Sequence, residues 1–168
     1  MMTAAPDKFR EAMSAFPSGV TIMTTVDASG EPRGFAASSF CSVSIDPALV
    51  LVCIAKTAQC HDAFLESDDW AIQVAGHDHL ELIGRFSTKG ADKFGGGEFT
   101  IDVRGVPVLA DAAVLLECQA HARFDGGDHT ILIARVGRVS LADSSPVLYF
   151  QREFHNMDLE LMTMGETG

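Results

Sequence analysis

The chain is short of positive charge: 12 Lys and Arg stand against 23 Asp and Glu, a formal net charge of −11 over 168 residues. Sequence-independent nucleic-acid binding needs a basic footprint, and no Lys/Arg cluster supplies one, so no nucleic-acid partner is expected. No apolar run approaches the roughly eighteen residues that cross a bilayer as a helix, so no membrane partner is expected either. The opening MMTAAPDKFREAM has neither the basic nor the apolar region of a signal peptide, which sets a cytoplasmic expectation. Cys41, Cys53, Cys60 and Cys118 form no CxxC pair and no zinc-type spacing. His61, His77, His79, His121, His129 and His155 show no HxxxH or HExxH spacing, and no metal is expected. GxGxxG, GxxxxGKS/T and GxSxG are all missing. Any nucleotide cofactor is therefore handled without a Rossmann motif or phosphate loop.

Apolar residues, by contrast, make up 47% of the chain, and the mean hydropathy is +0.17. A single domain with a substantial core is expected over 1–168, its ordered part about 9–154 between a flexible N-terminus and C-terminal tail. An apolar balance at this size points to surface buried in an oligomer, and a homodimer is expected.

Asp7 can cap a helix over Lys8 to Ala15, with Phe9, Ala12, Met13 and Phe16 on one face. Gly19 to Val26 reads as a strand, Asp27 to Gly30 as a hairpin turn, and the returning strand runs through Arg33 toward Phe40. Leu49 to Ala55 reads as a strand buried on both faces, followed by a short helix from His61 and a strand Trp70 to Ala75. His77 to Phe86 has helical spacing; Ser87 to Gly97 is a glycine-rich loop with two lysines. Ala113 to Phe124 and Thr130 to Leu141 are two long strands, and Leu148 to Phe150 a short last one before a charged, methionine-containing tail. Strands that outnumber a few short helices, without regular alternation, predict a mainly β protein built as an antiparallel barrel. Cys53 and Cys118, inside strand patterns, read as small buried hydrophobes, while Cys41 and Cys60 lie in loops.

Three segments offer chemistry, each with a plainer alternative. In GFAASSFCSVSIDPALVLVCIAK, Gly34 to Lys56, the serines offer hydroxyls, and Ala36 and Ala37 let a flat ligand approach the backbone; such a loop also simply makes turns. Ser87-Thr88-Lys89-Gly90 carries the groups a phosphate wants, though a solvated helix end also carries Lys. If Lys56 to His61 lies beside it, the two loops could hold one phosphate. GGDH, Gly126 to His129, is a turn first, but it fixes a histidine at a strand start near the barrel rim. Asp128 and His129 are adjacent, so a carboxylate–imidazole pair between them stays open.

The order of FREAMSAFPSGVTIMTT, the Gly34–Lys56 segment, RFSTKGADKF, GVPVLADAAVLLEC, GGDHTILIARV and PVLYFQREF resembles the short-chain flavin reductase family. These are the reductase components of two-component flavin-dependent monooxygenases, and the likeness runs from about Phe9 to Phe154. It implies an FMN-binding split β-barrel, a homodimer, and reduction of FMN or FAD by NADH or NADPH for a partner monooxygenase. It places Ser38, Ser39, Phe40, Cys41 and Ser42 along the flavin ring. Ala55, Lys56, Thr57, Ala58, Gln59, Cys60 and His61 would wrap the ribityl chain and phosphate, joined by Thr88 and Lys89, with Phe94 closing over them. His129 would meet the nicotinamide cofactor, as would Gln151, Arg152, Glu153 and Phe154.

No side chain is expected to be essential as a catalytic group, because the flavin carries the hydride chemistry. Two departures stand out. Cys60 replaces the family's usual Ser or Thr and is a weaker donor to phosphate. Gln151-Arg152-Glu153-Phe154 replaces Arg-Gly-x-Tyr and leaves the choice of NADH or NADPH open. Two other readings keep the same scaffold: a flavin-bound oxidase of the pyridoxamine-phosphate oxidase type, and a non-enzymatic flavin-binding redox module.

Overall fold

A computed structural model describes residues 4–157; the charged tail anticipated from the sequence lies beyond them. Helix α1 spans Pro6–Ser14. Its first residue is proline, whose fixed φ suits the opening turn, and Ala5 rather than Asp7 is the N-cap, with no side-chain bond. Asp7 instead sits within the first turn, where its charge favours the helix dipole. There follow β1 (Ser18–Gly19), β2 (Thr21–Val26), β3 (Pro32–Ala37), β4 (Cys41–Ser44) and β5 (Leu49–Ala55). Next come α2 (His61–Glu66), β6 (Asp69–Val74) and a 3-10 turn, His77–His79, that leads into α3 (Leu80–Ser87). The chain continues through β7 (Phe99–Ile101), β8 (Pro107–Leu109), β9 (Val114–Gly126), β10 (His129–Leu141), β11 (Val147–Phe150) and β12 (Glu153–Asn156).

Seven strands form one antiparallel sheet in the order β3-β2-β6-β9-β10-β5-β4. Its two end strands are consecutive in the chain, separated only by Ser38, Ser39 and Phe40. Four Cα steps reach at most about 15 Å, so the sheet has to curl until its edges nearly meet. No ladder joins those edges. β4 pairs with β5 only as far as Leu51, so beyond it the seam lies between β3 and β5, and Ser39 bridges it: its Oγ accepts from the Cys53 N–H at 3.0 Å and donates to the Cys53 carbonyl at 3.3 Å. The result is an antiparallel barrel that stays split along one seam.

Inside the curl, Met23, Val52, Ile54, Phe64, Trp70, Ile72, Cys118 and Leu132 form the main core, with Phe64 edge-on to Phe35 at 5.1 Å. Burial pushes the Cys118 thiol up to about 12, in keeping with a buried hydrophobe. A second cluster packs Ile22, Leu82, Ile83, Phe86, Leu109 and Val147 under α3. Between the clusters, fully buried Gln73 donates to the Ile22 carbonyl (3.0 Å) and accepts from the Leu109 N–H (3.2 Å). That amide ties β8 to the sheet with its polar atoms satisfied.

Several sequence expectations shift. β5 is buried on one face only: Val50, Val52 and Ile54 face the core, while Leu49, Leu51, Cys53 and Ala55 are half-buried. An apolar strand lining a cavity reads like a core strand. Cys53 is accordingly a cavity-wall residue rather than a core one. The three-residue strands β7 and β8 and the last strand β12 had no pattern long enough to register. β12 pairs with β11 across a two-residue turn, Gln151-Arg152, whose φ values are 51° and 67°. Among the described residues no helix is long and apolar enough to cross a membrane.

Candidate functional site

At the seam, the end of β3, the far side of β5 and two loops enclose a cavity of about 390 Å³. Of the expected flavin-side residues, Ser38, Ser39, Ala55, Thr57, Ala58, Gln59, Cys60, Thr88 and Lys89 line it, and so does His129. The two loops lie side by side as a shared phosphate requires: Gln59 Oε1 accepts from the Gly90 N–H at 2.8 Å. The Thr88 hydroxyl donates to the Gly84 carbonyl (2.8 Å) and Ser87 to that of Ile83 (2.8 Å). Both protons are committed to ending α3, which leaves only lone pairs toward the cavity.

Six expected residues are not on this wall, each for a local reason. Phe40 packs against the main core. Cys41 and Ser42 are exposed on β4, paired in register with Leu51 and Val50. Lys56 turns outward to form an ion pair with Asp125, whose carboxyl it holds below the usual range. His61 is drawn away by Thr130, with 2.9 Å between its Nε2 and the Thr130 Oγ1. Phe94 packs edge-on against Phe86 and tilted against Phe99, at 5.2 and 5.1 Å, and lines an adjoining cavity of about 370 Å³.

The nicotinamide-side residues divide as well. Arg152 and Phe154 line a third cavity that shares Ala36, Ala37, Ser38 and Ser87 with the first, while Gln151 and Glu153 line neither. His129 begins β10 directly after the turn Gly127-Asp128, in register with Gly126 and Ala55. Gly127 takes φ +81°, the left-handed geometry that glycine allows. Asp128 sits in the turn, not on the strand, so its carboxylate can fold back to 2.7 Å from His129 Nδ1. The pair left open by the sequence forms, and the hydrogen bond from His129 holds the Asp128 carboxyl below its usual range.

Sequence reasoning missed Phe35, Cys53, Phe86 and Lys93 as wall residues. The alternation that places Ala55 on the wall carries Cys53 with it. Lys93 was visible only as one of two lysines in a glycine-rich loop; its Nζ donates to the Gly34 carbonyl at 2.8 Å and lies 5.8 Å from the Phe86 ring centre. Burial lowers the pKa of this ammonium, a shift partly opposed by Cys60. The Cys60 thiol is buried, and desolvation raises its pKa despite the nearby cations Lys93 and Arg33. It serves as a small neutral wall. Among the described residues no group of three or more His, Cys, Asp or Glu is placed to hold a metal ion.

Residues 13–158 match the model of the flavin reductase like domain. The chain is 43% identical over 154 residues to the actinorhodin polyketide dimerase of Streptomyces coelicolor, covering 91% of this chain and 87% of that protein. It is 40% identical over 153 residues to the NADH:riboflavin 5'-phosphate oxidoreductase of Streptomyces pristinaespiralis, covering 89% and 87%. Among solved structures, the NADH:FAD oxidoreductase of Streptomyces globisporus in complex with NAD and FAD fragments superposes with a TM-score of 0.87 at 29% identity, over 96% of this chain and 99% of that one. With the family model spanning nearly the whole described fold, and the split barrel and seam cavity already in place, this chain belongs to the flavin reductase like domain family.

Proposed function

We propose that the protein is an NAD(P)H:flavin oxidoreductase that reduces FMN or FAD with NADH or NADPH and supplies the product to a flavin-dependent monooxygenase. The observation that carries this reading is the seam cavity itself. It brings a small-residue backbone edge, two adjoining polar loops and the Asp128–His129 pair to one place. The residues fit a flavin: Ala36, Ala37 and Ser38 leave the strand end open to a flat ring, and the paired loops present backbone N–H groups where a phosphate would sit.

A bound flavin would supply the redox chemistry, as acceptor of the hydride given up by the nicotinamide. The chain's part is alignment. Ser38 and Ser39 edge the ring, with Ser39 held by its two bonds to Cys53. Thr57 to Cys60 and Thr88-Lys89 flank the ribityl phosphate end, with backbone N–H groups rather than the committed Thr88 hydroxyl turned to it. His129, oriented by Asp128, positions the nicotinamide, and Arg152 and Phe154 receive the rest of that coenzyme beyond Ala36 to Ser38. No side chain needs to move a proton.

Helix α1 has no buried residue and exposes Phe9 and Met13 at 57% and 53%, and Phe16, just past its end, is 71% exposed. A second copy covering that face accounts for the homodimer in this reading. Four free cysteines suit a reducing, cytoplasmic setting.

The test is purification, an absorption spectrum, and steady-state oxidation of NADH and NADPH with and without added FMN, FAD and riboflavin. Oxidation that depends on added flavin is expected. A tightly held flavin that oxidises a different substrate, with no NAD(P)H turnover, would refute the reductase reading.

A further inference from the structure

Eight of the twelve lysines and arginines lie within 4 Å of a carboxylate: Lys8, Arg10, Arg33, Lys56, Arg85, Arg104, Arg123 and Arg138. Among the described residues that leaves Lys89, Lys93, Arg135 and Arg152 without such a partner. Three of them are exposed and solvated; Lys93 alone is half-buried. Its hydrogen-bond partner is a neutral carbonyl, that of buried Gly34. Neighbouring Asp92 does not compensate, since its Oδ1 accepts from the Phe94 and Gly95 N–H groups at 3.3 and 3.0 Å. Withdrawing a cation from water without a counter-charge is costly, and the lowered pKa of Lys93 reflects that cost.

Lys93 also stands where two cavities meet. With Gln59 and Cys60 it lines both the seam cavity and the adjoining one of about 370 Å³. Gln59 is the residue that ties the two polar loops together, so Lys93 borders the loops that the flavin reading assigns to the phosphate. We infer that Lys93 is the counter-charge to the flavin's phosphate, the partner that completes its otherwise unpaired ammonium. Lys89, exposed although it lines the seam cavity, contributes at most a screened attraction. Cys60, lacking a good donor, makes the nearby cation all the more necessary. This inference rests on the flavin reading, and it concerns binding, which can be measured without turnover.

The experiment is titration of the full-length protein with FMN and, separately, riboflavin, followed by quenching of flavin fluorescence, in wild type, Lys93→Met, Lys93→Gln and Lys89→Met. Riboflavin lacks only the phosphate. Either Lys93 variant should weaken FMN roughly ten- to hundred-fold, as loss of a charge-assisted bond does, and riboflavin less than about threefold. Lys89→Met should cost FMN a few-fold at most. Equal losses for both flavins in both Lys93 variants would mean a packing role and overturn the inference. So would a Lys89→Met protein that loses the preference for FMN while the Lys93 variants keep it. Parallel NADH oxidation by the wild type tests the reductase reading separately: turnover can be absent while the FMN preference still judges Lys93.

Discussion

Replacing Gly34 by alanine would put a methyl carbon 2.5 Å from the Met23 carbonyl oxygen and 2.6 Å from Cε1 of Phe86. Neither neighbour yields easily. The Met23 carbonyl belongs to β2, which is paired on both sides, and the Phe86 ring is held between Phe94 and Phe99 at 5.2 and 5.5 Å. The strain therefore falls on β3. Overpacking of this kind costs about 1–3 kcal/mol. For a chain of this size each kcal/mol lowers Tm by roughly 2–4 °C, so G34A should melt roughly 2–12 °C below wild type. Because Gly34 also presents its carbonyl to Lys93, FMN affinity should fall with it. Gly84→Ala is the control: no atom lies within 4 Å of its added Cβ, it sits in α3, and helix propensity should raise stability by about 1 kcal/mol or less. Thermal unfolding by circular dichroism or calorimetry reads both. A G34A protein melting within about 1 °C of wild type would refute the packing argument.

Arg152→Gly removes a side chain held at φ 67°. Relief of about 1–2 kcal/mol against about 0.5–1 for the freer unfolded chain should leave the variant slightly more stable, and, on the proposed coenzyme placement, with a higher KM for NAD(P)H, since Arg152 lines the cavity assigned to it. Ser39→Ala deletes both bonds across the seam; a loss of about 1 kcal/mol and faster amide exchange at Cys53 are expected by hydrogen-exchange mass spectrometry. Asp27 accepts from the Ser29 hydroxyl, Arg33 and the N–H groups of Ser29 and Glu31, which hold its carboxyl far below the usual range. A depressed folded pKa contributes stability above about pH 4 that is lost as pH falls through the folded value. The gap in urea midpoint between pH 6 and pH 2 should therefore narrow in Asp27→Asn; an unchanged gap would sink this account.

Much of this was legible in the chain because it was written in periodicity and turn chemistry. The hairpin at Gly127-Asp128, the short helix from His61 and the β-branched run of β2 all follow local rules, and the structure keeps them within a few residues. The adjacency of the Gln59 and Gly90 loops needed the family's order of motifs, since nothing local links positions 31 apart. What stayed hidden depended on tertiary direction. Thr88 and His61 have the right chemistry for a phosphate, but their polar atoms are taken by the Gly84 carbonyl and Thr130. Lys56 is claimed by Asp125 from another strand. Lys93, unremarkable in sequence, matters because Gly34, 59 residues away, offers it a carbonyl and no carboxylate joins it. The β11–β12 hairpin escaped notice because Gln-Arg is not a turn dipeptide that its φ values would suggest.

The seam between β3 and β5 bears on how such a site can arise and persist. A sheet edge left unpaired is ordinarily a hazard, a row of hydrogen-bonding groups open to any passing strand. In the proposed reading that incomplete closure is the mouth, and a planar flavin takes the place of a missing strand. Mutations that zipped the edges together would win a ladder and lose the chamber. Selection for stability and selection for binding thus pull on the same few residues, with Ser39 as the point of compromise: one hydroxyl closes the barrel enough to fold, and no more.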